Sequence, residues 1–588
     1  MVYTGIQLSC TNVSQPKSVT SSDWFHRKID YHGKTTHPTL MKKILLISSL
    51  WFFCNTAYCA DSAKTNFSNK PKLVVGIVVD QMRADFIYKY RAKYGNGGFK
   101  RLMNEGFFFK NSHYNYVPTY TGPGHASIYS GATPALHGII ANNWFDKARN
   151  KKMYCSEDAT VHALGGSEKA GQMSPKNMLT TTIGDQLKLS NNNQSKVIGI
   201  ALKDRGAILP AGHLANAAYW FDSATGNWMS SSYYMAQLPA WVNDFNNKGL
   251  AKNYLNQEWQ TLLPLADYSE SLPDDNLFEG AFKGEAKPIF PHDLPKLAAH
   301  NDNFGLLRTT PFGNTLTREF AIQTIQAENL GKHAVTDMLA ISFSATDYVG
   351  HQFAPQSIEV EDTYLRLDQD LAQLLKFLDS WLGKEQVLVF LTADHGAVES
   401  PSYLESVRIP AGNIKVSEMA GTIEKFLQEK YGENLLLDYS NQQVFLDHKK
   451  IANLKISVAE VTNTLTEFLL TINGVAQTVT KTALGNSSFN TGINHYIQLG
   501  YNAQRSGDVV VTYAPGWIDA DKATGTTHGS SYSYDTHVPL LWYGWKIAQG
   551  QSFQTVEITD IATTLALLLD IQAPNGNYGH FLQPLISK

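Results

Sequence analysis

Five short segments of the chain are almost uniformly apolar, and they constrain the fold more than any other feature of the sequence. They are Leu73–Val79, Lys196–Leu202, Met338–Phe343, Val387–Leu391 and Val538–Trp542. Apolar runs of this length without alternation are typical of parallel strands that are buried on both faces. The sequence therefore predicts an α/β fold with a largely parallel central sheet flanked by helices.

The segments between these strands predict helices and two insertions. Apolar residues recur at steps of four and three from Val360 to Leu382, which indicates an amphipathic crossover helix. The stretch Ile558–Ile571 predicts a C-terminal helix, too short to span a membrane. Two long intervals remain, at about 207–335 and 399–520. Structureless loops of such length are uncommon, so we expect two inserted subdomains that cap the sheet.

The first sixty residues differ from the rest of the chain. Lys42-Lys43 is followed by the short apolar run Ile44–Cys54, which matches a secretory signal peptide and is too short for a membrane span. A signal peptide is read at an N-terminus, so Met41 is expected to be the physiological start. Residues 1–40 are then an upstream extension and 41–60 the signal peptide. We expect a periplasmic or secreted protein with no membrane span in its mature form.

Composition excludes several classes of protein. The 588 residues contain 49 Lys and Arg against 52 Asp and Glu, so no basic footprint for nucleic-acid binding exists. An aromatic content of 11% argues against disorder. Four cysteines are present, and signal cleavage would leave Cys155 without an internal partner. The fold is therefore expected to depend on its core and on bound metal rather than on disulfides, and we expect a monomer.

Polar side chains suited to catalysis follow the first four predicted strands directly. They are Asp80, then Lys203 and Arg205, then Asp347 and His351, and then Asp394 and His395. Ligand sites in open α/β sheets lie at the carboxyl ends of the strands. Four separate parts of the chain are therefore predicted to meet at one edge of the sheet.

These residue types are also suited to binding metal. Zinc and related cations prefer imidazole nitrogen and carboxylate oxygen, and a two-metal site needs two such sets about 4 Å apart. Asp347 and His351 are four residues apart, so a helical turn would place both on one face. The candidate ligands are Asp80, Asp347, His351, Asp394, His395 and His528.

A candidate nucleophile lies in the segment from Thr119 to Ile128. Gly122-Pro123 after Thr121 suit the first turn of a helix, whose free N–H groups would hold an anion. A threonine hydroxyl can be activated by coordination to a divalent cation. Thr119 and Ser127 are alternative hydroxyls, although both are expected to form local hydrogen bonds. His125 is expected to support or pack against the site rather than to act as a general base.

Seven segments of the chain together resemble the alkaline phosphatase superfamily. The resemblance is closest to the branch that joins type I phosphodiesterases and nucleotide pyrophosphatases with periplasmic PafA-like alkaline phosphatases, and it covers 72–588. The segments follow the order of the family and are Val78–Asp80, Tyr120–His125, His137–Trp144, Lys203–Arg205, Asp347–His351, Ala393–Gly396 and Thr527–Gly529.

The resemblance implies a catalytic domain with two divalent metal ions, of which Zn²⁺ is the expected species. It assigns Asp347, His351 and His528 to one ion and Asp80, Asp394, His395 and Thr121 to the other. It also implies that Asn142 and the backbone N–H after Thr121 donate to a phosphoryl oxygen, with Asn143 as the alternative register. Mn and Fe are compatible with the same ligand types.

Lys203 and Arg205 bear on the choice between a phosphate monoester and a diester. Two cations favour the additional charged oxygen of a monoester, and the Lys-x-Arg pattern resembles the PafA-like monoesterases. A solvated pair of surface salt bridges is the structural alternative. The resemblance thus implies a secreted alkaline phosphatase that acts on small-molecule phosphate monoesters through a threonyl-phosphate. The alternatives are a phosphodiesterase or nucleotide pyrophosphatase, a phosphoryl transferase, and an inactive metal-binding module.

Overall fold

The computed structural model describes residues 70–586, so the predictions for 1–40 and for the signal peptide at 41–60 lie outside the described residues. The strands of the described residues are β1 (Leu73–Val79), β2 (Phe107–His113), β3 (Asn143–Asp146), β4 (Lys151–Tyr154), β5 (Ala163–Leu164), β6 (Val197–Ala201), β7 (Ala217–Asp222), β8 (Asn227–Ser231), β9 (Glu258–Trp259), β10 (His292–Asp293), β11 (Asp337–Phe343), β12 (Val387–Thr392), β13 (Gly412–Ile414), β14 (Leu436–Ser440), β15 (Gln443–Leu446), β16 (Val475–Thr480), β17 (Val509–Tyr513), β18 (Trp517–Asp519), β19 (His537–Gly544) and β20 (Gly550–Glu557).

Helices connect and cover these strands. They are α1 (Phe86–Lys89), α2 (Phe99–Glu105), α3 (Thr121–Ser130), α4 (Pro134–His137), α5 (Glu168–Gly171), α6 (Ile183–Leu189), α7 (Asp204–Ala211), α8 (Ala240–Asn247), α9 (Leu250–Leu255), α10 (Leu294–Leu297), α11 (Phe312–Ala327), α12 (Ala345–Phe353), α13 (Ile358–Trp381), α14 (Pro401–Ser406), α15 (Val416–Tyr431), α16 (His448–Asn453), α17 (Val458–Leu469), α18 (Lys481–Asn486), α19 (Gly492–Gly500), α20 (Ser533–Thr536) and α21 (Asp560–Leu568). Short 3₁₀ turns lie between some of them, as at Asn303–Thr309. No helix within 70–586 is long and apolar enough to cross a bilayer.

The central sheet has ten strands in the order β20-β2-β19-β12-β1-β11-β6-β7-β8-β5. The consecutive neighbours β12, β1, β11, β6 and β7 are parallel, which confirms the largely parallel centre. The first four predicted strands lie within this parallel part. Every residue of β1, β6, β11 and β12 is buried, as their uniform apolarity predicts.

The predicted direction of the fifth strand is wrong. Strand β19, which contains Val538–Trp542, runs antiparallel to both β12 and β2. Its apolar sequence reflects burial between two neighbouring strands, and burial on both faces does not depend on strand direction. An apolar run therefore predicts where a strand lies in the core but not which way it runs.

The predicted crossover helix is α13, which connects β11 to β12 across β1. The hydroxyl of Ser357 caps its start by accepting a hydrogen bond of 3.1 Å from the N–H of Val360. The apolar positions at Val360, Tyr364, Leu367, Leu371, Leu374 and Leu378 are buried. The predicted C-terminal helix is α21, which is shorter than 558–571.

The first predicted insertion, 207–335, is partly core. Strand β7 pairs with β6 in parallel, and β8 pairs with β7, so both belong to the central sheet. The length of the interval predicted a separate subdomain, but the aromatic side chains of these two strands are buried. The interval 399–520 instead builds a sheet of its own, in the order β14-β15-β17-β16, over a separate apolar core. Its two ends lie side by side, because β13 pairs with β18.

Candidate active site

The carboxyl ends of four parallel strands meet at one edge of the sheet. Asp80 follows β1, Lys203 follows β6, Asp347 lies in the first turn of α12 after β11, and Asp394 follows β12. All four side chains are buried. Charged groups are rarely buried unless they are paired or bind a metal. This edge therefore collects three carboxylates and one ammonium group in a single buried cluster.

Thr121 begins the helix that packs on this cluster. Tyr120 before it has extended backbone, and α3 starts at Thr121 itself. At Gly124, a Cβ atom would lie 2.5 Å from the carbonyl oxygen of Asp394. Only glycine allows so close an approach, so the small residues after Thr121 let α3 pack directly against the backbone that carries Asp394.

Asp80, Asp394 and His395 form one candidate metal set, as predicted. Their ligand atoms lie within 4.8 Å of one another. Oδ1 of Asp80, Oδ2 of Asp394 and Nε2 of His395 are buried without a hydrogen-bond partner. Buried polar atoms without partners are rare in proteins, and three that converge fit a bound cation. Nδ1 of His395 lies 3.0 Å from the carbonyl oxygen of Gly396, which leaves Nε2 to face the carboxylates.

The second predicted set is brought together around Asp347. Nε2 of His351 lies 3.2 Å and Nε2 of His528 lies 3.6 Å from Oδ1 of Asp347. The spacing of four residues on α12 produces the first of these contacts, as expected. His395 also lies within 4.8 Å of Asp347 and His528, and its ring stacks on that of His528 at 3.4 Å. The two sets are therefore directly adjacent.

The two imidazoles of the second set are held like that of His395. Nδ1 of His351 lies 2.8 Å from the carbonyl oxygen of Thr526. Nδ1 of His528 lies 2.7 Å from the carbonyl oxygen of Thr119. A histidine that donates from one ring nitrogen to a carbonyl presents the other nitrogen as a free ligand. This pattern favours metal binding over a structural role for these histidines.

The electrostatics of the cluster also suit cations. Burial lowers the pKa of His395, and burial together with His395 and His351 lowers the pKa of His528, so neutral imidazole is favoured. Burial and the charge of Asp394 raise the pKa of Asp80, although Lys203 opposes this shift. The close packing of carboxylates thus costs free energy that positive charge would offset.

Lys203 joins the nucleophile candidate to both sets. Its ammonium nitrogen lies 3.3 Å from Oγ1 of Thr121 and 2.8 Å from Oδ2 of Asp80. It also donates a hydrogen bond of 2.5 Å to Oδ2 of Asp347. Burial alone would lower the pKa of Lys203, but Asp347 and Asp80 raise it, so the side chain is an ammonium ion. The alternative that Lys203 forms a solvated surface salt bridge is wrong, because its side chain is buried.

Arg205 is held by a hairpin that the sequence did not reveal. Its Nη1 donates a hydrogen bond of 3.1 Å to the hydroxyl of Tyr154, at the end of β4. The same hydroxyl donates to the carboxylate of Asp204. Nε of Arg205 is buried without a partner. Tyr154 is 51 residues from Arg205 in sequence, and no pattern in its neighbourhood distinguishes it from a core tyrosine.

Asn142, rather than Asn143, adjoins the nucleophile helix. Its Oδ1 accepts a hydrogen bond of 2.8 Å from the backbone N–H of Gly122. Asn143 is exposed at the start of β3. In the structure the N–H after Thr121 donates to Asn142, and its expected contact with a phosphoryl oxygen stays a prediction. The amide nitrogen of Asn142 is the donor of that side chain and is the atom expected to bind a phosphoryl oxygen.

Gln81 was not predicted from the sequence and contacts a carboxylate of each set. Its backbone N–H donates to Oδ1 of Asp394 at 3.1 Å, and its Nε2 donates to Oδ1 of Asp347 at 2.8 Å. It is buried and has a positive φ of 61°, which is uncommon for a residue other than glycine. Its position directly after Asp80 is the one signal that could have identified it.

Ser127 and His125 behave as expected, and Thr119 does not. Thr119 donates to the carbonyl oxygen of Ser530 at 2.9 Å, and Ser127 lies 3.0 Å from Nε2 of His137. The contact of Ser127 is local, as expected, whereas that of Thr119 joins residues 411 positions apart, so the expected local bond of Thr119 is wrong. Nδ1 of His125 lies 2.9 Å from the carbonyl oxygen of Thr121 and 3.3 Å from Oδ2 of Asp394. His125 thus supports the backbone of the nucleophile candidate.

The fold and the site together define a class of protein. A mixed α/β sheet carries, at the carboxyl edge of its parallel strands, two adjoining carboxylate and imidazole sets beside a hydroxyl at a helix N-terminus. The family model of type I phosphodiesterases and nucleotide pyrophosphatases matches residues 74–536. The chain therefore belongs to the type I phosphodiesterase and nucleotide pyrophosphatase family. The phosphatases of this family are metal-dependent.

Individual relatives cover most of the chain. Alkaline phosphatase PafA of Elizabethkingia meningoseptica is 44% identical over 89% of this chain and 96% of its own length. Alkaline phosphatase PhoV of Synechococcus elongatus is 43% identical over 92% and 99%. A protein of Myroides odoratus that is named a calcium-transporting ATPase is 47% identical over 88% and 95%. A crystal structure of PafA matches with a TM-score of 0.85 over 88% of this chain and 99% of that one.

Proposed function

We propose that this protein is an alkaline phosphatase that hydrolyses small-molecule phosphate monoesters, with Thr121 as the nucleophile. The contact that supports the proposal most directly is that of Lys203 with the hydroxyl of Thr121 and with one carboxylate of each metal set. The relatives PafA and PhoV, which are named alkaline phosphatases, support the same activity.

Two divalent cations are part of the proposal, and Zn²⁺ is the expected ion. The residues that would hold them are Asp347, His351 and His528 for one, and Asp80, Asp394, His395 and Thr121 for the other. The buried ligand atoms without partners fit this occupancy. When bound, such cations supply Lewis-acid stabilisation of the anionic oxygens of the reaction.

Thr121 would carry out the covalent chemistry. The positive charge of Lys203, 3.3 Å from Oγ1, favours the deprotonated hydroxyl. A bond forms between Oγ1 and phosphorus as the bond from phosphorus to the ester oxygen breaks, and the leaving alkoxide takes up a proton. Water then attacks the threonyl-phosphate, releases inorganic phosphate and returns Thr121 to its free form. Two displacements give net retention at phosphorus.

Lys203, Arg205 and Asn142 would select the monoester. A monoester carries one more charged oxygen on phosphorus than a diester, and two cations compensate that charge in a buried site. Oδ1 of Asn142 accepts the N–H of Gly122, and the amide nitrogen is the atom of this side chain that would donate to the phosphoryl oxygen. An organic group in place of the charged oxygen would leave Lys203 and Arg205 without that oxygen to bind.

The proposal is tested by comparing an aryl phosphate with a bis-aryl phosphate on wild type, Thr121→Ala and a matched control. Thr324→Ala is that control, because it also removes a buried threonine hydroxyl, one that bonds only within its own helix. We expect the monoester to be preferred, and we expect Thr121→Ala to lose at least about a thousandfold in kcat. A preferred diester would indicate a phosphodiesterase. Wild-type turnover in Thr121→Ala would exclude the mechanism.

We also propose that the protein is exported to the periplasm or secreted, and that it is a monomer. The export proposal rests on residues 41–60. N-terminal sequencing of protein recovered from outside the cytoplasm should begin near residue 60, and a start at Met1 or Val2 would contradict it. Size-exclusion chromatography with light scattering should give the mass of a single chain.

A further inference from the structure

The second insertion, 399–520, makes hydrogen bonds to the segment that carries Asn142. It runs from α4 through Gly138 and three fully buried residues to Asn142 and then into β3. Gly138 has a positive φ of 75°, a left-handed conformation that glycine adopts readily. Backbone bonds hold the segment at its two ends, where Leu179 donates to the carbonyl oxygen of His137 and Cys155 donates to that of Asn142, both at 2.9 Å. A side chain of the second insertion adds a bond between these ends, at the carbonyl oxygen of Gly138.

Arg505 provides that support. Its Nη1 donates to the carbonyl oxygen of Gly138 and, at 2.7 Å, to that of Asn177. Its guanidinium carbon also lies 5.3 Å from the centre of the Trp144 ring. A Cβ atom at residue 138 would lie 2.7 Å from the same Nη1, so a larger residue there would displace the guanidinium. Arg505 thus contacts the segment on both sides of Asn142.

The turn that presents Arg505 is itself held firmly. Oδ1 of Asn502 accepts a hydrogen bond of 3.2 Å from the backbone N–H of Arg505. Nδ2 of Asn502 donates to the carbonyl oxygen of Ala135 at 3.0 Å. The same insertion therefore reaches the segment twice, through one side chain that bonds to α4 and one that bonds to Gly138.

The same segment packs against α3, the helix that begins at Thr121. Ile139, Ile140 and Trp144 pack in one buried cluster with Ala126 of α3. Asn142 itself accepts the N–H of Gly122 through Oδ1. Because packed interiors resist small displacements, a shift at Gly138 or Trp144 would move Asn142 relative to Thr121.

We propose that Arg505 is a positioning residue for phosphate binding, and that the second insertion serves the reaction by fixing Asn142 beside the nucleophile helix. This inference rests on the proposed function. Arg505 does not touch the reacting atoms, and its effect on the reaction passes through Asn142.

A double-mutant cycle tests the inference. We expect Arg505→Ala to lower kcat/KM for an aryl phosphate by about tenfold to a hundredfold and to weaken inhibition by inorganic phosphate. In an Asn142→Ala background, the same change should have little further effect, because the group that Arg505 positions is already gone. Arg505→Lys, which keeps a donor but loses the planar guanidinium, should fall between wild type and Arg505→Ala.

Lys152→Ala is the matched control. Lys152 bonds the same hairpin to the insertion through Asp438 at 3.2 Å, away from Gly138. It should leave kcat/KM and phosphate inhibition unchanged. If Arg505→Ala does not fold, as judged by circular dichroism, the cycle is run with Arg505→Lys.

Two results would overturn the inference, and they have different meanings. Equal losses from Arg505→Ala with and without Asn142 would show that Arg505 acts by another route, while the proposed function stands. Wild-type kinetics in Asn142→Ala would remove the role of Asn142, and the inference with it. A wild-type enzyme without phosphatase activity would instead contradict the proposed function itself.

Discussion

The ammonium nitrogen of Lys203 lies 3.3 Å from the hydroxyl oxygen of Thr121 and 2.8 Å from Oδ2 of Asp80. It also donates to Asp347, so a single buried cation links the nucleophile candidate to both predicted metal sets. A lysine in this position has two effects on the same reaction. It neutralises part of the carboxylate charge, and it places positive charge where a charged phosphoryl oxygen would bind.

Replacement of Lys203 should therefore change the choice of substrate. We expect Lys203→Ala to lower kcat/KM for an aryl phosphate by about a hundredfold or more, since the charged oxygen loses its partner. Hydrolysis of a bis-aryl phosphate should fall much less. The ratio of the two rates measures the effect, and Lys252→Ala, at an exposed lysine, is the control. An equal loss on both substrates would mean that Lys203 acts on the nucleophile alone.

Tyr154 should act on the reaction through Arg205. Its hydroxyl accepts from Arg205 at 3.1 Å and donates to Asp204. Tyr154→Phe keeps the ring in the core but leaves the guanidinium without this acceptor. We expect a roughly tenfold rise in KM for the aryl phosphate with a smaller change in kcat. Steady-state kinetics checks this, and the loss should disappear in an Arg205→Ala background.

Gln81 should stabilise both metal sets at once. Its side chain donates to Asp347 and its backbone N–H donates to Asp394. Gln81→Leu keeps the backbone bond but removes the donor to Asp347. We expect metal affinity to fall by about tenfold to a hundredfold, as measured by competition with a chromogenic chelator. Gln186→Leu, on α6, is the matched control. Unchanged affinity in Gln81→Leu would mean that the side chain only fills space.

Removal of metal should destabilise the fold. A ligand at a hundred times its dissociation constant contributes about 2.7 kcal/mol, and the crowded carboxylates of Asp80, Asp347 and Asp394 would then repel one another. We expect the melting temperature to fall by several degrees in EDTA and to recover on addition of Zn²⁺. Thr121→Ala, which lacks one proposed ligand but keeps the carboxylates and imidazoles, should still show a shift, because the change reports binding rather than turnover. A melting temperature unaffected by EDTA would contradict the metal sites.

A buried acidic cluster away from the site should make the fold less stable at alkaline pH. Burial and the charge of Glu359 raise the pKa of Glu279. Burial alone would lower the pKa of His292, but hydrogen bonds to Glu285 and Glu359 raise it to about 9. Both groups bind their proton more tightly in the folded state, so their stabilisation is lost as pH rises through these folded pKa values.

Replacement of Glu279 tests this cluster. The amide of Glu279→Gln carries hydrogens at every pH, so the loss of melting temperature between pH 7 and pH 10 should be smaller than in wild type by about 2 °C or more. The exposed Glu385→Gln should follow the wild-type profile. Identical pH profiles for wild type and Glu279→Gln would show that Glu279 does not bind a proton in this range.

The sequence by itself determined the buried strands and predicted most of the residues of the candidate site. Uniform apolar runs identify strands that are buried on both faces, because apolar side chains are the ones that folding buries. The four-residue spacing of Asp347 and His351 gives one face of a helix, because that geometry is local. The order of the seven motifs identified the family, which the match over residues 74–536 confirms.

Only the tertiary structure decided what depends on contacts between distant parts of the chain. The direction of β19, the place of β7 and β8 in the central sheet, and the hold of Tyr154 on Arg205 all arise from such contacts. The hydrogen bond from Arg505 to the carbonyl oxygen of Gly138 is another such contact, between residues 367 positions apart. The type of a side chain predicts whether it is buried. It does not predict which distant residue the side chain contacts, because those contacts depend on the packing of the whole chain.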